Sequence, residues 1–136
     1  MSRTYVLDAS AVLDFVEDGP GAERIEQLFK DASLSRRALL MSVLNWGEVF
    51  YHSWQQRGEE SARRTVADLL RFPIELVPVD LSHALKAGEL KAVHKIPYVD
   101  CVAAALAVLN QAVLVTSDRD FERLGKQFPI LWIARA

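Results

Sequence analysis

Four acidic residues stand out by their position: Asp8 in YVLDASAVLD, Glu48 in MSVLNWGEVFY, Asp100 in IPYVDCVAAALAVL and Asp118 in VLVTSDRDF. Asp8 ends the apolar run Tyr5-Val6-Leu7, and Asp118 follows Val113-Leu114-Val115 after the turn residues Thr116-Ser117. Gathered into one place, such groups repel; two unit charges 4 Å apart cost about 4 kcal/mol at an effective dielectric near 20. Protonation with raised pKa values is one remedy, and a hard divalent cation is the usual one. Oxygen ligands without a His or Cys cluster select magnesium or manganese and disfavour zinc. Such an ion keeps several waters and acidifies one of them, while a second ion stabilises the leaving oxygen of an in-line phosphoryl displacement. The chemistry these residue types suggest is phosphodiester hydrolysis.

The elements that must position them follow from hydrophobic patterning. Short apolar runs at 5–7, 38–41, 74–79, 112–115 and 130–133 read as buried strands. Segments 9–16, 21–30, 43–56, 59–71, 81–93, 98–111 and 118–124 carry apolar residues near three- and four-residue spacing and read as helices. This alternation predicts a three-layer α/β/α fold on a mainly parallel sheet of four to five strands, within a single domain spanning 1–136. In such sheets ligands bind beyond the carboxyl ends of the strands, where Asp8 and Asp118 fall.

The other two acids are placed by helices. Ser42 is suited to cap a helix starting at Val43, which puts Glu48 in its second turn. Val43, Trp46, Val49, Phe50 and Trp54 mark the face of that helix expected to pack inward, with Glu48 at its border. Gly47 costs about 1 kcal/mol relative to alanine inside a helix, which signals either a shifted register or close packing. Pro97 is suited to a helix start, Asp100 falls in the first turn, and Ala103, Ala104 and Ala107 allow close approach to the sheet.

Bulk properties bound the function. A chain of 136 residues with formal charge -2 shows no basic footprint of the kind strong nucleic-acid binders usually carry. The single cysteine, Cys101, excludes an internal disulfide and suits a reducing compartment. Three apolar residues before Asp8 are too few for a signal peptide, and the longest apolar stretch, 101–115, is interrupted by Asn110-Gln111 and falls short of the roughly 20 residues that span a bilayer. The expectation is a cytoplasmic protein without a membrane partner.

Each acid taken singly has a plain structural reading: Asp8 and Asp118 as helix caps, Asp100 as a first-turn acid favoured by the helix dipole. Glu48 has no such reading, and four acids near strand ends favour a site. His52, His83 and His94 show no metal spacing and read as surface or core residues. Trp46, Trp54, Phe50 and Phe72 fit a core or a dimer face better than a base-stacking platform. Among Arg36, Arg37, Arg63, Arg64, Lys91, Lys95, Arg119 and Arg123, Arg119 is favoured as a phosphate contact because it adjoins Asp118.

Asp-Ala-Ser after the first strand, Ser42 and Glu48 after the second, Asp100 opening an Ala-rich helix and Thr-Ser-Asp-Arg-Asp-Phe after a later strand together resemble a PIN domain. The set covers nearly the whole chain, and at this length it is most similar to the VapC-type ribonuclease toxins of prokaryotic toxin-antitoxin pairs. The resemblance implies an endoribonuclease using one or two Mg2+ or Mn2+ ions and metal-activated water, forming a homodimer and held inactive by an antitoxin inserted in its groove. It places Asp8, Glu48, Asp100 and Asp118 on the family's acidic positions, Ser10 and Thr116 on its supporting hydroxyls, and Asp120 as an auxiliary acid.

Two alternatives stay open on sequence grounds. One keeps the fold but makes the chain a non-catalytic RNA- or partner-binding module. The other is a phosphotransfer domain with a strand-end phosphoacceptor aspartate. Ser10, where a haloacid-dehalogenase-like phosphatase needs Asp, and the absence of an aspartate on 74–79 weigh against it.

Overall fold

The computed structural model describes residues 3–134; residues 1, 2, 135 and 136 of the expected single domain lie outside the described residues. In chain order the elements are β1 (Tyr5–Leu7), α1 (Ala9–Val16), α2 (Ala22–Ser35), β2 (Leu39–Ser42), α3 (Val43–Arg57), α4 (Glu59–Leu69), β3 (Ile74–Val77), α5 (Leu81–His94), α6 (Tyr98–Leu109), β4 (Val113–Thr116), a short 3-10 helix (Arg119–Leu124) and β5 (Ile130–Trp132). The five strands form one sheet in the order β3-β2-β1-β4-β5, every neighbouring pair parallel. The chain builds outward from β1 to β3 on one side, then crosses to β4 and β5 on the other. The order therefore reverses between β1 and β4, the place where open α/β sheets form a crevice.

Side chains alternate across the sheet because successive Cβ atoms point to opposite faces. Val6 and Leu114 pack with Cys101, Val102 and Ala103 to Ala107 of α6, and with Phe121, in one core. Leu7, Met41 and Val115 pack with Val12, Ile25, Phe29 and Val49 in the other. Burial on both faces explains why β1 and β4 read as unbroken apolar runs. The alanines of α6 are fully buried, giving the close approach their size permits. Phe121 is also fully buried and pins the 3-10 helix beneath α6; truncating such a phenylalanine to alanine costs about 3–5 kcal/mol.

The structure differs from the sequence reading at several points. Helix α2 runs to Ser35 because Ala32 continues the buried stripe of Ile25, Leu28 and Phe29, and it ends where Arg36 turns left-handed at φ 56°. Strand β3 stops at Val77, and 119–124 is a 3-10 helix with Asp118 as its cap. The inward face of α3 is also shifted. Val43 and Trp54 are 38% and 40% exposed, while the buried residues of that helix are Asn45, Val49 and Ser53. A Cβ at Gly47 would meet nothing within 4 Å, so close packing does not account for that glycine; α3 is continuous through it, and nothing in the structure explains it.

Candidate active site

Parity within the strands aims the first acid. Asp8 and Thr116 continue the alternation of Val6 and Leu114, so both face the layer that holds α6. The Asp8 amide donates to the Val115 carbonyl at 3.2 Å, which carries the β1–β4 ladder one residue past β1 and fixes the Asp8 backbone at the crevice.

The carboxylate of Asp8 is almost wholly buried and fully engaged. Its Oδ1 accepts from the Ala11 amide at 2.9 Å, which makes Asp8 the N-cap of α1 as well. Its Oδ2 accepts from the Thr116 hydroxyl at 2.6 Å, and Ser10 Oγ lies 2.8 and 3.0 Å from the two carboxylate oxygens. Each hydroxyl has one proton. Thr116 accepts from the Asp118 amide at 2.9 Å and Ser10 from the Ser117 amide at 3.0 Å, the two hydroxyl oxygens lie 3.1 Å apart, and both hydroxyls reach the Asp8 carboxylate. Two relays thus run from the turn after β4 into one carboxylate on β1.

Asp118 caps the 3-10 helix, its Oδ1 accepting from the Asp120 amide at 2.9 Å. The capping readings of Asp8 and Asp118 are therefore correct, and capping orients the same carboxylates toward the crevice. Carboxylate oxygens of Asp100, Asp118 and Asp120 lie within 4.8 Å of one another. Burial, and then the charges of Asp118, Asp8, Glu48 and Asp120, push the Asp100 carboxyl up from 3.8 to about 7. Burial likewise lifts Asp8 to about 7; the hydrogen bonds from Thr116, Ala11 and Ser10 work against it, and the Asp118 charge adds to it. Glu48 is raised by burial, opposed by a hydrogen bond from Asn45. The Asp118 charge also raises Glu48 while His52 lowers it, so the acids act on one another in one place and negative charge dominates there.

That condition is the test of fit for a cation. All the donors are carboxylate or hydroxyl oxygen, three carboxylates already approach within bridging distance, and the buried charge calls for a positive partner. The residues present fit a hard divalent ion.

Asn45 escaped the sequence reading. It is 1% exposed, and its Nδ2 donates to Glu48 Oε1 at 3.0 Å and to the Val99 carbonyl at 3.3 Å. A polar residue three positions before a helical acid was the available signal.

Arg119 does not reach over the acids. Its guanidinium lies 4.4 Å from the centre of the Trp132 ring, donates to the Ala134 carbonyl at 3.3 Å and sits 3.7 Å from Glu122. Arg63 and Arg64 pair with Glu59 and Glu60 on the surface, and Lys91 donates to the Ile96 carbonyl. His83 is buried, with Nε2 2.8 Å from the Val102 carbonyl, while His52 faces Glu17 at 3.5 Å. No single helix among the described residues is long and apolar enough to cross a membrane.

Comparison with known proteins agrees with this architecture. The chain is similar in fold to the DNA-bound VapBC complex of Salmonella typhimurium, with a TM-score of 0.75 at 17% identity, covering 98% of this chain and 100% of that one. It is similar to VapBC-1 of nontypeable Haemophilus influenzae, with a TM-score of 0.71 at 21% identity over 96% and 98% of the two chains. It is also similar to VapC20 of Mycobacterium tuberculosis, described as a sarcin-ricin loop cleaving toxin, with a TM-score of 0.69 at 17% identity over 90% and 95%. No curated protein matches the sequence. A family model for the PIN domain matches residues 5–127, from the start of β1 past the 3-10 helix and so through every acid described above; the chain belongs to the PIN domain family.

Proposed function

We propose that this protein is a magnesium- or manganese-dependent endoribonuclease that hydrolyses RNA phosphodiester bonds, with Asp8, Glu48, Asp100 and Asp118 holding the metal and Asp120 at the rim. The observation that carries the reading is the meeting of Asp100, Asp118 and Asp120 beside the buried, hydroxyl-clamped Asp8. When bound, the cation neutralises the cluster and supplies an acidified water together with stabilisation of the leaving oxygen. Ser10 and Thr116 hold the Asp8 carboxylate in one orientation, so little reorganisation is needed when charge develops nearby. Asp8 and Asp100, with their raised proton affinities, exchange protons for metal near neutral pH. Arg119, braced on Trp132, offers a positioned guanidinium to an RNA phosphate at the edge of the crevice.

We place the protein as the toxin of a toxin-antitoxin pair acting in the cytoplasm. Support comes from the structures it is similar to, several of which are toxin-antitoxin complexes, and from an acidic crevice that complements a basic antitoxin segment. Homodimer formation is supported by Leu44, Tyr51 and Trp54, exposed apolar residues on one face of α3 at helical spacing.

The test is cleavage of RNA by the purified chain with manganese, with excess chelator, and after Asp8→Asn. Cleavage is expected only in the first case. Unchanged cleavage in chelator or by the variant overturns the metal assignment. Intact RNA with measurable RNA binding supports the non-catalytic module instead.

A further inference from the structure

The Asn45 side chain sits where the two helices that carry site acids come together. Its amide nitrogen has two protons. One goes to the Glu48 carboxylate on α3 and the other to the carbonyl of Val99, the residue before Asp100 in the first turn of α6. Both partners are acceptors, which fixes which end of the amide is nitrogen. The other end, Oδ1, is buried without a partner, and among the described residues it is the single buried side-chain polar atom in that condition.

A buried acceptor without a donor is costly, and an apolar residue of similar size would avoid it. An asparagine at this position is therefore poorly explained by stability alone. Among the described residues its other end makes the only hydrogen bond to the Glu48 side chain, which no backbone amide orients, in contrast to Asp8 and its three donors. Glutamate is also the longer carboxylate and has more rotamer freedom to lose on binding. We infer that Asn45 is a positioning residue for the metal-dependent reaction: it locks the Glu48 carboxylate against the first turn of α6, so that Glu48 and Asp100 present their oxygens to the cation as one unit. This rests on the nuclease reading above.

The experiment is manganese binding, followed by electron paramagnetic resonance, for the wild type, Asn45→Leu, Glu48→Ala and the double variant. Thermal midpoints without metal establish that each is folded, and Asn45→Ala replaces the leucine variant if it is not. Loss of a residue that orients a metal ligand weakens metal binding by about 10- to 100-fold, which is the loss expected for Asn45→Leu. With Glu48 absent the orienting role disappears, so adding Asn45→Leu to Glu48→Ala is expected to change affinity less than about threefold. Equal manganese affinity for wild type and Asn45→Leu overturns the inference. So does an undiminished loss in the Glu48→Ala background, which assigns Asn45 to the packing of α3 on α6. Failure of the wild type itself to bind manganese would instead overturn the nuclease reading.

Discussion

The Thr116 hydroxyl donates to Asp8 Oδ2 at 2.6 Å and ties the carboxyl end of β4 to that of β1 across the point where the strand order reverses. The same oxygen accepts from the Asp118 amide, so one small side chain sets the spacing between two acids. Thr116→Val keeps the shape and removes both bonds, along with the 3.1 Å contact to the Ser10 hydroxyl. It is expected to destabilise the fold by about 1–3 kcal/mol in chemical denaturation, because a buried amide and a buried carboxylate lose a partner. RNA cleavage should fall by about 10- to 100-fold, with Thr116→Ser retaining most of it. Full activity in the valine variant would show that the hydroxyl does not orient the site.

Stability without metal should fall as pH rises. Asp8 and Asp100 have folded-state values of about 7 against 3.8 ordinarily, so the folded protein holds these protons more tightly than the unfolded chain. Their contribution is fully present below about 4 and is lost progressively up to about 7. Each tenfold difference in proton affinity is worth about 1.4 kcal/mol, and each kcal/mol moves the melting midpoint by roughly 3–5 °C in a domain of this size. In chelator the midpoint at pH 5 is therefore expected to exceed that at pH 8 by several degrees. A flat or rising profile contradicts the burial of these charges.

Asp8→Asn separates stability from activity. At pH 8 it removes a buried charge while leaving an oxygen for the Ala11 amide, so the metal-free midpoint should hold or rise. Manganese should raise the midpoint of the wild type and leave that of the variant nearly unmoved. Cleavage should disappear. A clear loss of metal-free stability would mean that the carboxylate is held there for the fold.

Arg119→Ala tests the edge of the crevice. The guanidinium stacks on Trp132 and is only partly exposed, so the proposed phosphate contact would be prearranged. Removal should raise KM for RNA several-fold with little change in kcat. The slope of log affinity against log salt should drop by about 0.7, the value for one phosphate contact on a single strand. An unchanged salt slope would assign Arg119 to bracing β5.

The exposed face of α3 makes a prediction about assembly. Tyr51 is 53% exposed and Leu44 45%, so a charge at either position is tolerated by an isolated chain. Leu44→Glu and Tyr51→Glu are expected to convert a dimer to a folded monomer in light scattering. A wild type that is already monomeric at high concentration removes this face as the interface.

Much of this architecture was legible in the sequence because a sheet covered on both faces demands runs such as Val113-Leu114-Val115, which few other environments tolerate. The positions of Asp8 and Asp118 were legible because they follow such runs at the ends where open sheets bind ligands, and those of Glu48 and Asp100 from helix-start signals at Ser42 and Pro97. Two things were not legible. Reading α3 by its apolar residues alone turned Val43 and Trp54 inward and left Asn45 and Ser53 outside, the reverse of what the structure holds. Periodicity treats polarity as exposure and is blind to a polar residue buried for its hydrogen bonds. Nor does adjacency along the chain report direction: Arg119 follows Asp118 but its guanidinium lies on Trp132.

The crossing from one half of the sheet to the other has a consequence during synthesis. Asp8 emerges from the ribosome more than a hundred positions before its clamp Thr116 and its neighbour Asp118, which follow α6. Until then Asp8 keeps its bonds from Ser10 and the Ala11 amide but lacks the Thr116 hydroxyl and the Asp118 charge. The acid cluster is therefore complete only once β4 pairs with β1, after both α3 and α6 have been made.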